Sequence, residues 1–307
     1  NRGYQKDGMI GAKDIDLVQT EKSQIIQKSG LLEMVQLREA MQDIGGLEKL
    51  KPWLEQKSQI FADWPAARDF GVESPKGVMI VGMPGCGKSL TAKATAKLFG
   101  LPLLKMDIGS LMGKYVGESE GNMRRAIAVA EAVSPCVLWV DEVEKAFAGI
   151  GSGAAGSEVA TRLFGYFLTW MQEKTAQVFV VTTANDISVL PPELLRKGRF
   201  DEIFYVDFPN EAERKAIFRV HLDKRKKMNQ QIDLHKLAKA TDKYSGADIE
   251  SIVKEGIERA FLANRAELDT QRLMQVIEAT HPLGMVMKDK VKQYQNRFAE
   301  MKIKSAS

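Results

Sequence analysis

Residues Gly82 to Ser89, GMPGCGKS, fit G-x-x-x-x-G-K-[ST] and carry the means to hold a polyphosphate. Glycines let the backbone fold so that N–H groups converge on phosphate oxygens, and a following helix adds the positive end of its dipole. Lys88 can reach the outer phosphates, and the Ser89 hydroxyl can ligate Mg2+. A second group, VLWVDE from Val137 to Glu142, is an apolar run ending in two carboxylates. Asp141 suits a Mg2+ shell, through water, and Glu142 suits a general base on the attacking water. Alone, such a pair reads as a solvated turn; beside a phosphate loop it reads as half of a hydrolytic site. Asn185 closes VFVVTTAN and offers an amide to orient that water or touch the γ-phosphate, although asparagine at a strand end is commonly a turn former.

These groups need a frame that brings them together. Val78–Val81, Leu103–Met106, Val137–Val140, Val178–Thr182 and Ile203–Val206 are short apolar runs flanked by turn residues. Helical patterns lie between them at Ser89–Phe99, Asn122–Ala132 and Val159–Gln172. Strands buried on both faces and joined by helices predict an α/β fold: a P-loop αβα sandwich with a parallel five-stranded sheet over residues 44–210. Functional groups then gather at the carboxyl edge of the strands. Glu211–Leu222, Leu234–Ala240, Ala247–Ala266 and Thr270–Ala279 predict a small all-α lid domain over 211–283.

Ahead of the sandwich, Ile15, Val18, Ile25, Ile26, Leu31, Leu32 and Val35 recur at mostly helical spacing, broken at Gly30, so 1–43 is expected to be a helical extension. The chain opens on Asn1 rather than Met, which suggests a fragment of a longer chain. Residues 284–307 are expected to form an amphipathic helix. Its apolar stripe is Met287, Val291, Tyr294, Phe298 and Met301, with Lys288, Lys290, Lys292, Arg297 and Lys302 around it. A basic amphipathic helix can meet a membrane surface or a partner. The narrow stripe favours packing onto its own lid or core.

At 307 residues the chain is long enough for two packed units. Its 44% hydrophobic and 27% charged content is that of a globular protein. A net charge of +4 is too small to argue for nucleic acid, and no apolar run has the length of a membrane span. Cys86 and Cys136 alone suit a reducing compartment such as the cytoplasm, without disulfides. His221, His235 and His281 lack ligand spacing and read as lid-surface histidines.

The order of these pieces resembles the AAA branch of the AAA+ ATPases over residues 43–283. DIGGL, Asp43 to Leu47, resembles the family's segment that packs on adenine, implying contacts from Ile44 and Gly45. KYVGESEGNMRRA, Lys114 to Ala126, is similar to its first pore loop and the helix after it. LPPELLRKGRFD, Leu190 to Asp201, looks like its second region of homology, and YSGADIESIVKEG, Tyr244 to Gly256, like its lid segment. The stretches KSQIIQKSGLLEMV and CVLWVDEVEKAF resemble a cyanobacterial and plastid-encoded AAA group of unknown function.

The resemblance implies ATP and Mg2+ as ligands, with Pro84, Gly85, Cys86, Gly87, Lys88, Ser89 and Leu90 on the nucleotide and Gly246 and Ala247 near adenine or ribose. Arg196 and Arg199 align with arginine fingers, which neutralise transferring phosphoryl charge on a neighbouring subunit. Without the family they read as a solvated basic turn. Fingers supplied in trans imply a homo-oligomeric ring, a hexamer. Asp186 and Glu202 stand where the family often has arginine, which bears on contacts between protomers. The sensor-two position lacks arginine. The second pore loop falls within Ala148–Glu158, including the Gly-rich run Gly149–Gly156, and lacks bulky or basic residues.

The leading expectation is an ATP-hydrolysing ring that remodels or threads an unidentified protein substrate through its pore, gripped by Lys114, Tyr115 and Val116. The alternative is a nucleotide-controlled scaffold whose ring binds a partner without threading, which the Gly/Ser-rich second loop favours. A nucleic-acid motor would need a basic stripe with interleaved aromatics, and none lines the expected pore.

Overall fold

Apolar runs too short for helices pair with one another instead. The computed structural model describes residues 22, 24–26, 29–111, 118–147, 156–196, 198–264 and 266–307. Strands β1 (Leu32–Val35), β2 (Gly77–Gly82), β3 (Leu103–Met106), β4 (Cys136–Val140), β5 (Val178–Ala184), β6 (Glu202–Val206) and β7 (Lys304–Ser305) share one sheet. Their order is β1-β3-β4-β5-β2-β6-β7. Each neighbouring pair is parallel except β1 on β3.

The sheet therefore has seven strands among the described residues, where the sequence predicts five. The five expected strands are its contiguous parallel centre, and the two extra ones close its edges. Each escapes pattern reading for a physical reason. Leu32–Val35 lies in a run whose apolar spacing also suits a helix, and it corrects the helical expectation for that stretch. Lys304–Ser305 is two exposed residues with no apolar alternation to find.

Helices α1 (Leu50–Ala62), α2 (Trp64–Asp69), α3 (Lys88–Phe99), α4 (Ile108–Leu111), α5 (Glu118–Val133) and α6 (Gly156–Glu173) cover the sheet. Because side chains alternate along a strand, one sheet serves two cores. Met79, Val81, Leu138, Val140 and Val180 pack with Ile127 of α5 and Leu163, Phe164 and Phe167 of α6. Val78, Ile80, Val137, Trp139 and Val181 pack with Leu50 and Leu54 of α1 and with Ala92 and Ala96 of α3. Each large side chain so buried contributes roughly 1.5–3 kcal/mol.

After β6 come α7 (Glu211–Lys224), α8 (Leu234–Ala240), α9 (Gly246–Leu262), α10 (Thr270–Ala279), α11 (Leu283–Val286) and α12 (Lys288–Glu300). Helices α7 to α10 enclose a third core of Phe218, Leu222, Leu237, Ile252, Val253, Leu273 and Val276. Capping boxes at Asn210/Glu213 and Ser245/Asp248 start α7 and α9.

Helix α12 packs on the sheet unit rather than on the lid. Tyr294 and Phe298 are buried in its core, whereas Met301 at the end of the expected stripe is exposed. Phe298 stacks on Tyr205 of β6 with ring centroids 3.8 Å apart. Beyond it β7 pairs with β6, and the Ala306 carbonyl accepts from Lys49 N at 3.0 Å and Leu50 N at 3.1 Å, capping the start of α1.

Candidate active site

The loop between β2 and α3 is shaped by its glycines. Gly87 sits at φ 90° and Gly85 at φ 73°, conformations that side chains disfavour. A Cβ on Gly85 would also stand 2.9 Å from Ser245 Oγ. The lid reaches this loop directly, since Ala247 N donates to Gly85 O at 2.9 Å. Lys88 is buried under the loop, its Nζ donating to Gly82 O at 3.0 Å and Met83 O at 2.6 Å. Burial lowers its pKa to about 8, against the pull of Cys86, Glu144, Asp141 and Glu142. The Cys86 thiol is pushed up to about 12, chiefly by burial.

At the carboxyl end of β4, Asp141 Oδ1 accepts from Thr183 Oγ1 at 2.7 Å and from Ser89 Oγ at 3.4 Å. Lys105 Nζ lies 3.3 Å from Asp141 Oδ2. Glu142 takes φ 48°, a left-handed backbone that costs on the order of 1–2 kcal/mol and turns its side chain off the strand line. The Thr183 hydroxyl steadies it, accepting from Glu142 N at 3.1 Å. Asn185 Nδ2 donates to Glu142 Oε1 at 3.3 Å and to Glu144 Oε1 at 2.8 Å, and Asn185 N reaches Glu144 Oε1 at 3.0 Å. Lys145 forms an ion pair with Glu142 Oε2. Glu144 is buried, and its Oε2 has no partner among the described residues.

A cavity of about 380 Å³ runs from these carboxylates to the lid. Every residue expected to touch the nucleotide lines it: Ile44, Gly45, Pro84, Gly85, Cys86, Gly87, Lys88, Ser89, Leu90, Gly246 and Ala247, together with Asp141, Glu142 and Asn185. Arg196 and Arg199 do not. Arg196 is exposed, and Arg199 donates to the Glu193 carbonyl on the same loop. Lys114, Tyr115 and Val116 lie outside the described residues, as do residues 148–155 of the expected second pore loop.

Sequence reasoning missed part of the wall. Asp207, Glu213, Ile217, His221, Glu250 and Ser307 also line the cavity, as does Thr183. His221 is thus a cavity residue and not a lid-surface one. Burial lowers its pKa despite Glu250, and Arg225 bridges the two, donating to His221 O at 3.1 Å and to Glu250 Oε1 at 2.9 Å. His235 does lie on the surface, 3.1 Å from Glu211. Glu202 pairs with Lys304 of its own chain.

The donors fit Mg2+. Ser89 Oγ and Asp141 Oδ1 are two hard oxygens 3.4 Å apart. That suits an ion that keeps several waters and takes other ligands from phosphate, as Mg2+ does.

A family model described as "ATPase family associated with various cellular activities (AAA)" matches residues 78–208, and one for the AAA+ lid domain matches 231–275. The chain belongs to the AAA family of ATPases. Among its AAA relatives, an "Uncharacterized AAA domain-containing protein ycf46" of Pyropia yezoensis is 44% identical over 97% of this chain and 60% of that protein. The protein of the same name in Guillardia theta is 42% identical over 97% of this chain and 58% of that one. "ATPase family gene 2 protein homolog A" of Homo sapiens is 36% identical over 76% of this chain and 26% of that protein. The chain thus spans about three-fifths of the length of the ycf46 relatives it matches. Among the described residues, no helix is long and apolar enough to cross a membrane.

Proposed function

We propose that this chain hydrolyses ATP with Mg2+ and works as a homo-oligomeric ring, a hexamer, that uses turnover to remodel or thread a protein substrate. The observation that supports the hydrolytic half is the meeting of Glu142, Asn185, Asp141 and Ser89 at the mouth of the loop that buries Lys88. Lys88 and the loop amides hold the phosphates, Ser89 and Asp141 hold the metal side, and Glu142 takes the proton of water that Asn185 orients. Bound Mg2+ neutralises charge on the transferring phosphoryl group. Arg196 and Arg199 serve the site of the adjacent subunit, in keeping with their place outside their own cavity.

The test is Glu142→Gln. It keeps the phosphate and metal contacts, so ATP affinity stays within about threefold while turnover falls by about 10²–10⁴. Turnover at the parent rate would remove Glu142 from this role. For the remodelling half, Tyr115→Ala should retain ATPase activity and lose processing of a tethered model protein; unchanged processing would favour a scaffold ring.

A further inference from the structure

Strands buried on both faces of a parallel sheet usually read as unbroken apolar runs. β3 departs from that: Leu103, Leu104 and Met106 are wholly buried, and Lys105 stands among them. Its side chain finds two partners, one on the neighbouring strand β4 and one just past its carboxyl end. The ammonium lies 4.7 Å from the centroid of the Trp139 ring and 3.3 Å from Asp141 Oδ2. Trp139 is its register partner on β4, so the strand pairing sets the two side chains next to each other.

The Asp141 carboxylate is therefore divided between two sides. Oδ1 faces Ser89 and Thr183, and Oδ2 faces Lys105. We propose that Lys105 is an internal competitor of the divalent cation at Asp141, setting the free Mg2+ concentration at which the site loads. This rests on the reading of Asp141 as the carboxylate on the metal side.

The physical reason is repulsion between two cations that share one carboxylate. Lys105 is about one-third exposed and Asp141 less so, which screens that repulsion without removing it. The indole face keeps the ammonium near the carboxylate, so it does not simply swing into water. A lysine that weakens metal binding also eases release of the metal with the product nucleotide.

The experiment is a titration of the full chain with Mg2+, at fixed concentration of a fluorescent, non-hydrolysable ATP analogue. Lys105→Met keeps the apolar stem and removes the charge. It should lower the half-saturating Mg2+ concentration by about 5- to 20-fold. Lys105→Arg keeps the charge and should stay within about twofold of the parent. If the methionine variant melts early, Lys105→Gln gives the same comparison. A neutral variant whose curve overlies the parent, or moves to higher Mg2+, overturns the proposal. Asp141→Asn separates the two readings. If it leaves the parent's Mg2+ dependence unchanged, the assignment of Asp141 fails and the proposal with it. If it abolishes that dependence while the Lys105 variants show no shift, the proposal alone fails.

Discussion

The Asn185 side-chain amide is shared between two carboxylates, Glu142 at 3.3 Å and Glu144 at 2.8 Å. Only one of them, Glu142, is legible as a functional group without the fold. Glu144 helps fix which way the amide faces, because its Oε1 accepts from both Asn185 Nδ2 and, at 3.0 Å, Asn185 N. Glu144→Ala should leave that donor without its carboxylate partner, costing about 1–3 kcal/mol in a denaturant titration. Turnover should fall with little change in KM for ATP. Glu144→Gln retains an oxygen and should recover most of both losses. Equal KM and kcat effects would make Glu144 merely structural.

Lys88 predicts a pH dependence of nucleotide binding. Its free-state pKa is about 8, and phosphate oxygens favour the charged form, so the bound-state value is higher. Below pH 8 the lysine is charged in both states and contributes no slope. Above pH 8 binding takes up a proton, so affinity weakens as pH rises. Calorimetry in two buffers of different ionisation enthalpy should show proton uptake at pH 9 and almost none at pH 7. Equal uptake at both values would rule this out.

Arg199→Ala should fold, bind ATP and lose about 10³–10⁵ in turnover if it serves a neighbour's site. Mixing it with Lys88→Ala subunits should restore part of the activity, at interfaces pairing an intact loop with an intact arginine. Full turnover by a monomer, measured by sedimentation in the assay buffer, would refute supply in trans.

Phe298→Ala should destabilise the protein by about 3–5 kcal/mol, since the ring is buried and stacked on Tyr205. Deleting residues 285–307 should lower the melting temperature further and reduce ATPase activity, because Ser307 lines the nucleotide cavity and Ala306 caps α1. An unchanged melting temperature would show that α12 is not part of the core.

The centre of the sheet is readable in the sequence because burial on both faces leaves uninterrupted apolar runs, and the phosphate loop because its residues are consecutive. The rest of the cavity wall is not. His221, Glu250 and Ser307 reach it from three separate elements, and no local spacing records where the lid comes to rest. Lys105 does carry a signal, a charge inside an apolar strand, that gains meaning only once Asp141 is its neighbour. Asp186 stands where the family often has arginine. Burial raises its pKa, yet hydrogen bonds from Ser188 and Tyr294 outweigh this and hold it below the usual value. It is thus tied within its own chain, which is invisible without knowing that α12 returns to the sheet.

That return changes how the helical unit can move. Its chain leaves the sheet after β6 and comes back through α12 to β7, pinned by Phe298 on Tyr205 and by the pairing of Ser305 with Tyr205. A body held by a single tether can swivel about three axes. One held at two separated points keeps mainly the rotation about the line joining them, as a door does on two hinges. The crossings are near Pro209 and near Met287, and Ala247 sits on the phosphate loop. Under the proposed ATP turnover, movement started at the nucleotide would be confined mainly to that one rotation.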